Sequence, residues 1–90
     1  MDAREAFLLK AIEDRVKELR ITELLLTQEE MAANCGLTQY QLSLIENGKV
    51  NSKILTLRRI SEGCHISLSD LFNFSLWSEK EIFYPKDERF

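Results

Sequence analysis

Turn-forming residues are scarce in this chain. Proline occurs once, as Pro85 near the C-terminus, and glycine three times in 90 residues. A β-rich fold of that length needs several tight turns with positive φ, so the scarcity favours an all-α fold. Histidine occurs once, as His65, and cysteine twice, as Cys35 and Cys64. Two cysteines make no disulfide framework, and one histidine with two cysteines makes a poor metal ligand set. Both cysteines therefore read as reduced thiols that fill a core as small hydrophobes. No metal and no cofactor is expected. No apolar run approaches the roughly 18 residues of a membrane-spanning helix, so no membrane is expected among the partners. The N-terminus, Met1-Asp2-Ala3-Arg4-Glu5, has mixed charge and does not read as a secretion signal, which points to a cytoplasmic protein. A short all-α chain with one histidine has little room for a substrate cavity of roughly 300 Å3 or more, so no enzyme is expected.

What is present is a series of helix starts. Five segments open on a side-chain acceptor and carry an acidic or amide residue three positions later, the spacing of a capping box. They are Asp2…Glu5, Thr27…Glu30, Thr38…Gln41, Ser67…Asp70 and Ser78…Glu81. A sixth start is read at Asn51-Ser52. The spacing predicts helices over 3–20, 28–35, 39–46, 53–63 and 68–74, with a short turn over 79–84 stopped by Pro85. On the first helix Phe7, Leu8, Ala11, Ile12, Arg15, Val16 and Leu19 share one face, and on the fourth Ile54, Leu57, Ile60 and Cys64 do. Ile21-Thr-Glu-Leu-Leu-Leu26 either extends the first helix or forms an apolar loop. A length of 90 residues with 44% hydrophobic and 30% charged residues fits one globular domain rather than a disordered chain.

The second and third helices, within 28–47, are joined by about three residues. Gly36 stands where a helix ending at Cys35 needs a left-handed residue. Ala32, one turn earlier, lets the next helix cross closely. Thr38 caps that helix at once, and Leu37, Leu42 and Ile45 anchor it. This is helix-turn-helix geometry, argued from sterics.

The stretch from about Val16 to Phe72 resembles the Cro and phage-repressor helix-turn-helix regulators, also called the xenobiotic-response-element family. The resemblance rests on Leu19-Arg20, Leu26-Thr-Gln-Glu-Glu-Met-Ala32, Cys35-Gly-Leu-Thr38 and Leu42-Ser-Leu-Ile-Glu-Asn-Gly-Lys49. It continues through Leu57, Ile60, Ile66-Ser-Leu68 and Asp70-Leu-Phe72. It implies a five-helix repressor-like DNA-binding domain over 1–72, of bacterial or phage origin, followed by a short aromatic C-terminal extension over 73–90. The implied function is sequence-specific DNA binding in transcription regulation, with repression the expected sign. A homodimer would lay the third helix of each subunit in successive major grooves of double-stranded DNA, about 34 Å apart. Thr38, Gln39, Tyr40, Ser43 and Leu44 would then face the bases, and Gln28, Asn47, Lys49 and Asn51 the phosphates. Chemistry agrees in part: Gln39 can pair with adenine N6 and N7, Leu44 can meet a thymine methyl, and helix N-termini favour phosphate. Where the family often carries Lys or Arg, this chain has Leu44 and Asn47. The usual glycine after the fourth helix is His65, and between Arg20 and Thr27 the chain is about one residue longer and lacks a glycine.

Overall charge runs the other way from most nucleic-acid binders, at −3 with an isoelectric point near 5.2. Residues 31–61 invert it: they hold one acidic residue, Glu46, against Lys49, Lys53, Arg58 and Arg59, a local net charge of +3. Glu46 reads as a structural acceptor, with Arg20 as one candidate partner. Arg58 and Arg59 read either as a solvated face or as a phosphate clamp. Phe74, Trp77, Phe83 and Tyr84 read as a dimer interface or as a lid over the domain's own core. No separate ligand domain is present, so no small-molecule ligand is expected. The alternative reading is a protein-interaction module on the same fold, a bridging or antagonist subunit.

Overall fold

Four of the five capping boxes fall within residues 2–74, the part of the chain that the computed structural model describes. Three close fully. The side chains of Asp2, Thr27 and Thr38 accept from the backbone N–H of Glu5 (2.8 Å), Glu30 (3.1 Å) and Gln41 (3.0 Å), and each of those side chains accepts from the cap's own N–H in return. Ser67 accepts from Asp70 N–H at 3.0 Å, and no reciprocal bond is made there; aspartate is one methylene shorter than the glutamate or glutamine of a full box. The caps open α1 (Ala3–Glu18), α2 (Gln28–Cys35), α3 (Gln39–Glu46) and α5 (Leu68–Leu71). α4 (Ile54–Gly63) lies between the last two. Ser78…Glu81 and the turn over 79–84 lie outside the described residues.

The described residues are all-helical, five α-helices with no strand. α4 departs from expectation at its start. Its N-cap is the extended Lys53, which makes no side-chain cap, so Asn51 and Ser52 stand too early in the chain to serve. Ile54 is 57% exposed and leaves the core face to Leu57, Ile60 and Cys64. α5 ends at Leu71 rather than at 74, because Phe72 departs from helical geometry (φ −92°, ψ 16°).

Each helix contributes to one core. Val16, Leu19, Met31, Ala32, Leu42, Ile45, Leu57, Ile60 and Leu71 are buried, together with Cys35 and Cys64. At roughly 1.5–3 kcal/mol per buried large apolar side chain, this cluster is the main source of stability in a short chain. Ala32 is buried, and α4 comes close to α2 at Gly63. A Cβ there would lie 2.5 Å from Cys35 Sγ and 2.9 Å from Asn34 O, so α4 and α2 touch backbone to side chain.

Two turns share one design. Cys35-Gly36-Leu37-Thr38 joins α2 to α3, and Cys64-His65-Ile66-Ser67 joins α4 to α5. In each the second residue is left-handed (Gly36 φ 69°, His65 φ 59°). In each the third returns a hydrogen bond to the preceding helix, Leu37 N–H to Ala32 O (2.9 Å) and Ile66 N–H to Ser61 O (3.0 Å), and the fourth caps the next helix. These are the bonds that satisfy orphan carbonyls at a helix end.

The open question at 21–26 resolves as a helix extension of unusual form. After Glu18 the chain widens into a π-helical segment, Leu19–Leu24, and ends on Leu25 in the left-handed region (φ 56°, ψ 44°). A π turn holds one more residue than an α turn, so it absorbs the extra residue between Arg20 and Thr27. Leu25 then takes the conformation a glycine would take, at a cost of about 1–2 kcal/mol. Its side chain is 78% exposed and loses little by removal. Leu25→Gly should therefore stabilise the domain by roughly 0.5–1 kcal/mol after glycine's own entropy cost, read as a higher urea midpoint at unchanged m-value.

Candidate nucleic-acid interface

The α2–α3 unit is pinned from below by a buried carboxylate. Glu46, the last residue of α3, is 1% exposed. Arg20 meets it with both arms of the guanidinium, Nε to Oε2 at 2.7 Å and Nη2 to Oε1 at 2.9 Å. Arg20 Nη1 also donates to Leu26 O at 3.1 Å, and Gln28 Nε2 donates to Glu46 Oε1 at 3.1 Å. The Arg20–Glu46 pair thus ties together the π-helical segment, the chain entering α2, the first residue of α2 and the end of α3. Hydrogen bonding to Glu46 holds the Arg20 guanidinium above its ordinary pKa, against the opposing effect of burial.

Pinning the inner face leaves the outer face of α3 to solvent. Gln39 and Tyr40 are exposed, Tyr40 at 72%. Ser43 and Leu44, one turn on, are half-buried, and Asn47 is exposed and donates from Nδ2 to Ser43 Oγ at 3.3 Å. Their spacing lays these side chains along one stripe, opposite the buried Leu42, Ile45 and Glu46. Thr38 stands at the N-terminal end of the stripe as the cap. Lys49 and Asn51 are exposed on the loop beyond α3. Gly48, left-handed at φ 63°, begins this loop, and a Cβ there would lie 2.9 Å from Glu13 Oε1 of α1.

A helix-turn-helix family model matches residues 16–71, which covers α2, the turn, α3 and the helices packed on them. The chain belongs to the Cro/C1-type helix-turn-helix family. It is also 42% identical over 60 residues to the control protein C.MunI of Mycoplasma sp., spanning 67% of this chain and 81% of the relative. No solved structure matches it. As a member of the Cro/C1-type family it is a DNA-binding regulator of transcription. No helix of the described residues is long and apolar enough to cross a membrane.

Several parts of this helix-turn-helix escaped the sequence reading. Gln28 is tied to Glu46, and nothing in a glutamine at a helix start signals an acceptor eighteen positions away. Arg59 Nη1 donates to Gly36 O at 3.4 Å and so braces the turn, whereas Arg58 pairs with Glu62 at 3.3 Å on the surface. Arg15 bonds the carbonyl of Asp70 at 2.8 Å and links α1 to α5. Of the aromatic tail only Phe74 is described: it is half-buried, edge-on to Phe72 with centroids 6.0 Å apart. Trp77, Phe83 and Tyr84 lie outside the described residues.

Removing one member of a buried ion pair strands the other. Glu46→Ala should cost about 3–5 kcal/mol, since Arg20 keeps only 15% of its side chain in solvent. Against a typical total of about 5–15 kcal/mol this brings the domain close to unfolding. Urea denaturation measures it. A loss under 1 kcal/mol would mean that the pair clamps nothing.

Proposed function

We propose that the protein acts as a homodimeric repressor that lays α3 of each subunit in the major groove of operator DNA. The observation that carries this reading is the fate of Glu46. It is the single acidic residue of 31–61, and it is buried on Arg20, so the exposed charges of that segment, Lys49, Lys53, Arg58 and Arg59, are all basic, with Arg58 alone paired across the segment's edge to Glu62. An acidic protein thus offers DNA a locally basic surface around an exposed polar stripe. In this reading Thr38, Gln39, Tyr40, Ser43 and Leu44 contact bases. Lys49, Asn47 and Asn51 contact phosphate, and Gln28 contributes the amide N–H that Glu46 does not take. The negative charge of the whole chain favours the second reading, a protein-interaction module; the two part company on duplex DNA.

Binding should fall steeply with salt, with a log–log slope of roughly −4 to −8 for a dimer with a few phosphate contacts per subunit. Gln39→Ala should reduce discrimination between a bound site and its single-base variants by about 1–3 kcal/mol. Lys49→Ala should instead weaken all sequences alike and flatten the slope by about one. Gel shifts at several salt concentrations measure all three. Binding indifferent to salt would leave the interaction module as the better reading.

We assign dimerisation to the extension over 73–90. A single helix-turn-helix reads only a few base pairs, so useful specificity needs two on a rigid frame, fixed outside α2 and α3. Phe74, Trp77, Phe83 and Tyr84 supply the aromatic residues that interfaces favour. Truncation after Asn73 should give a folded monomer in sedimentation, with far weaker DNA binding. A truncated protein that still sediments as a dimer would move the interface elsewhere.

A further inference from the structure

The chain leaves α5 beside a groove on α1. Arg15 of α1 donates to Asp70 O at 2.8 Å and so fastens the end of α5 to α1. Just beyond, Phe74 N–H donates to Phe72 O at 2.8 Å, the i→i+2 bond of a γ-turn centred on Asn73. Past this bend Asn73 and Phe74 line a groove of about 480 Å3 together with residues of α1. Phe7 and Ala11, one helical turn apart and both half-buried, supply its apolar part. Lys10, Asp14, Arg15 and Glu18 complete the lining, and their charges are paired with one another, Lys10 with Asp14 at 3.2 Å and Arg15 with Glu18 at 2.9 Å. The lining therefore carries no net charge and selects no ion. It suits a flat apolar side chain with one polar edge. We propose that Trp77 of the same chain docks in this groove and fastens the start of the C-terminal extension to α1.

Reach decides the occupant. Trp77 stands three residues after Phe74, a span of at most about 11 Å, and Phe74 is itself part of the lining. A ligand on so short a tether is present at an effective concentration on the order of millimolar, which favours it over a second copy or a free partner. Phe83 and Tyr84 lie farther along, beyond the charged run Ser78-Glu-Lys-Glu81. Size and chemistry agree with reach. The groove is larger than the roughly 300 Å3 at which pockets begin to enclose a small ligand. An indole ring buries roughly 150–250 Å2, and its N–H requires an acceptor once buried. The exposed carboxylates of Asp14 and Glu18 stand on the lining to accept it. Docked in this way, Trp77 gives Phe83 and Tyr84 a fixed base, which is the rigid frame that the dimer assigned above requires. The docking itself lies within one chain and holds for a monomer as well as for a dimer.

Trp77 is the single tryptophan, so the tryptophan fluorescence of the full-length protein reports it alone. Native emission should lie to the blue of the urea-unfolded chain, and acrylamide should quench it several-fold less steeply. Both properties should persist through a dilution series followed in parallel by sedimentation. Ala11→Glu, which places a charge in the groove, should return emission and quenching toward the unfolded values while far-UV circular dichroism stays that of a folded helical domain. Nuclear Overhauser contacts between the indole ring and the Ala11 methyl group test the same docking in the unaltered protein. Native emission equal to that of the unfolded chain would overturn the proposal. Emission that reddens in step with dissociation of a dimer would overturn it as well, by giving Trp77 to the second subunit. A blue emission that Ala11→Glu does not move, with no contact to the Ala11 methyl, would place Trp77 elsewhere and overturn it too. Blue emission from a protein that sediments as a monomer throughout supports the docking and counts against the dimer instead.

Discussion

The Arg20–Glu46 pair is the constraint on which the rest of the helix-turn-helix depends. A carboxylate at 1% exposure is tolerable only when nearly every lone pair has a donor, and here Arg20 and Gln28 supply three hydrogen bonds. Those donors come from segments on either side of the turn into α2. Arg20 sits on a π-helical segment, so its position depends on the extra residue that widens the helix. Leu25, strained in a left-handed conformation, closes that segment. Local strain and a buried charge are thus parts of one arrangement, joined to the end of α3 through Glu46.

The same pair reconciles the composition with the family. An acidic protein is a poor general ligand for DNA, yet net charge describes a surface only as an average. Turning Glu46 inward removes the single negative charge from the middle of the chain. Most of the acidic residues lie elsewhere, many on α1, where Glu13 pairs with Lys10 and Lys17 and Asp14 with Lys10. Steering toward DNA is consequently local.

The caps were legible because a side-chain acceptor and its partner three residues on are near neighbours in the chain. The turn at Gly36 was legible for the same reason, and Glu46 read as a structural acceptor with Arg20 as one candidate partner, the partner it has. What escaped was non-local or cooperative. Lys53 stands at the N-cap of α4 and makes no side-chain cap, so no acceptor residue marks that start. Ile54 shares the helical period of Leu57 and Ile60 but lies too near the helix start to meet the core. The close approach of Gly63 to Cys35 depends on how α2 and α4 pack, which no spacing announces. Gln39 and Tyr40 were solvent-facing by pattern and are exposed, whereas Ser43, Leu44 and Asn47 came from the resemblance, and of these Asn47 is exposed and Ser43 and Leu44 half-buried.

The central claim is that this exposed stripe reads DNA from a two-fold frame. The most direct test is selection of bound sequences from a random duplex pool with the full-length protein. The account predicts an enriched inverted repeat whose half-sites are centred about 10–10.5 base pairs, or a multiple of that, apart. A pool that enriches no sequence, or a single asymmetric half-site, would contradict it.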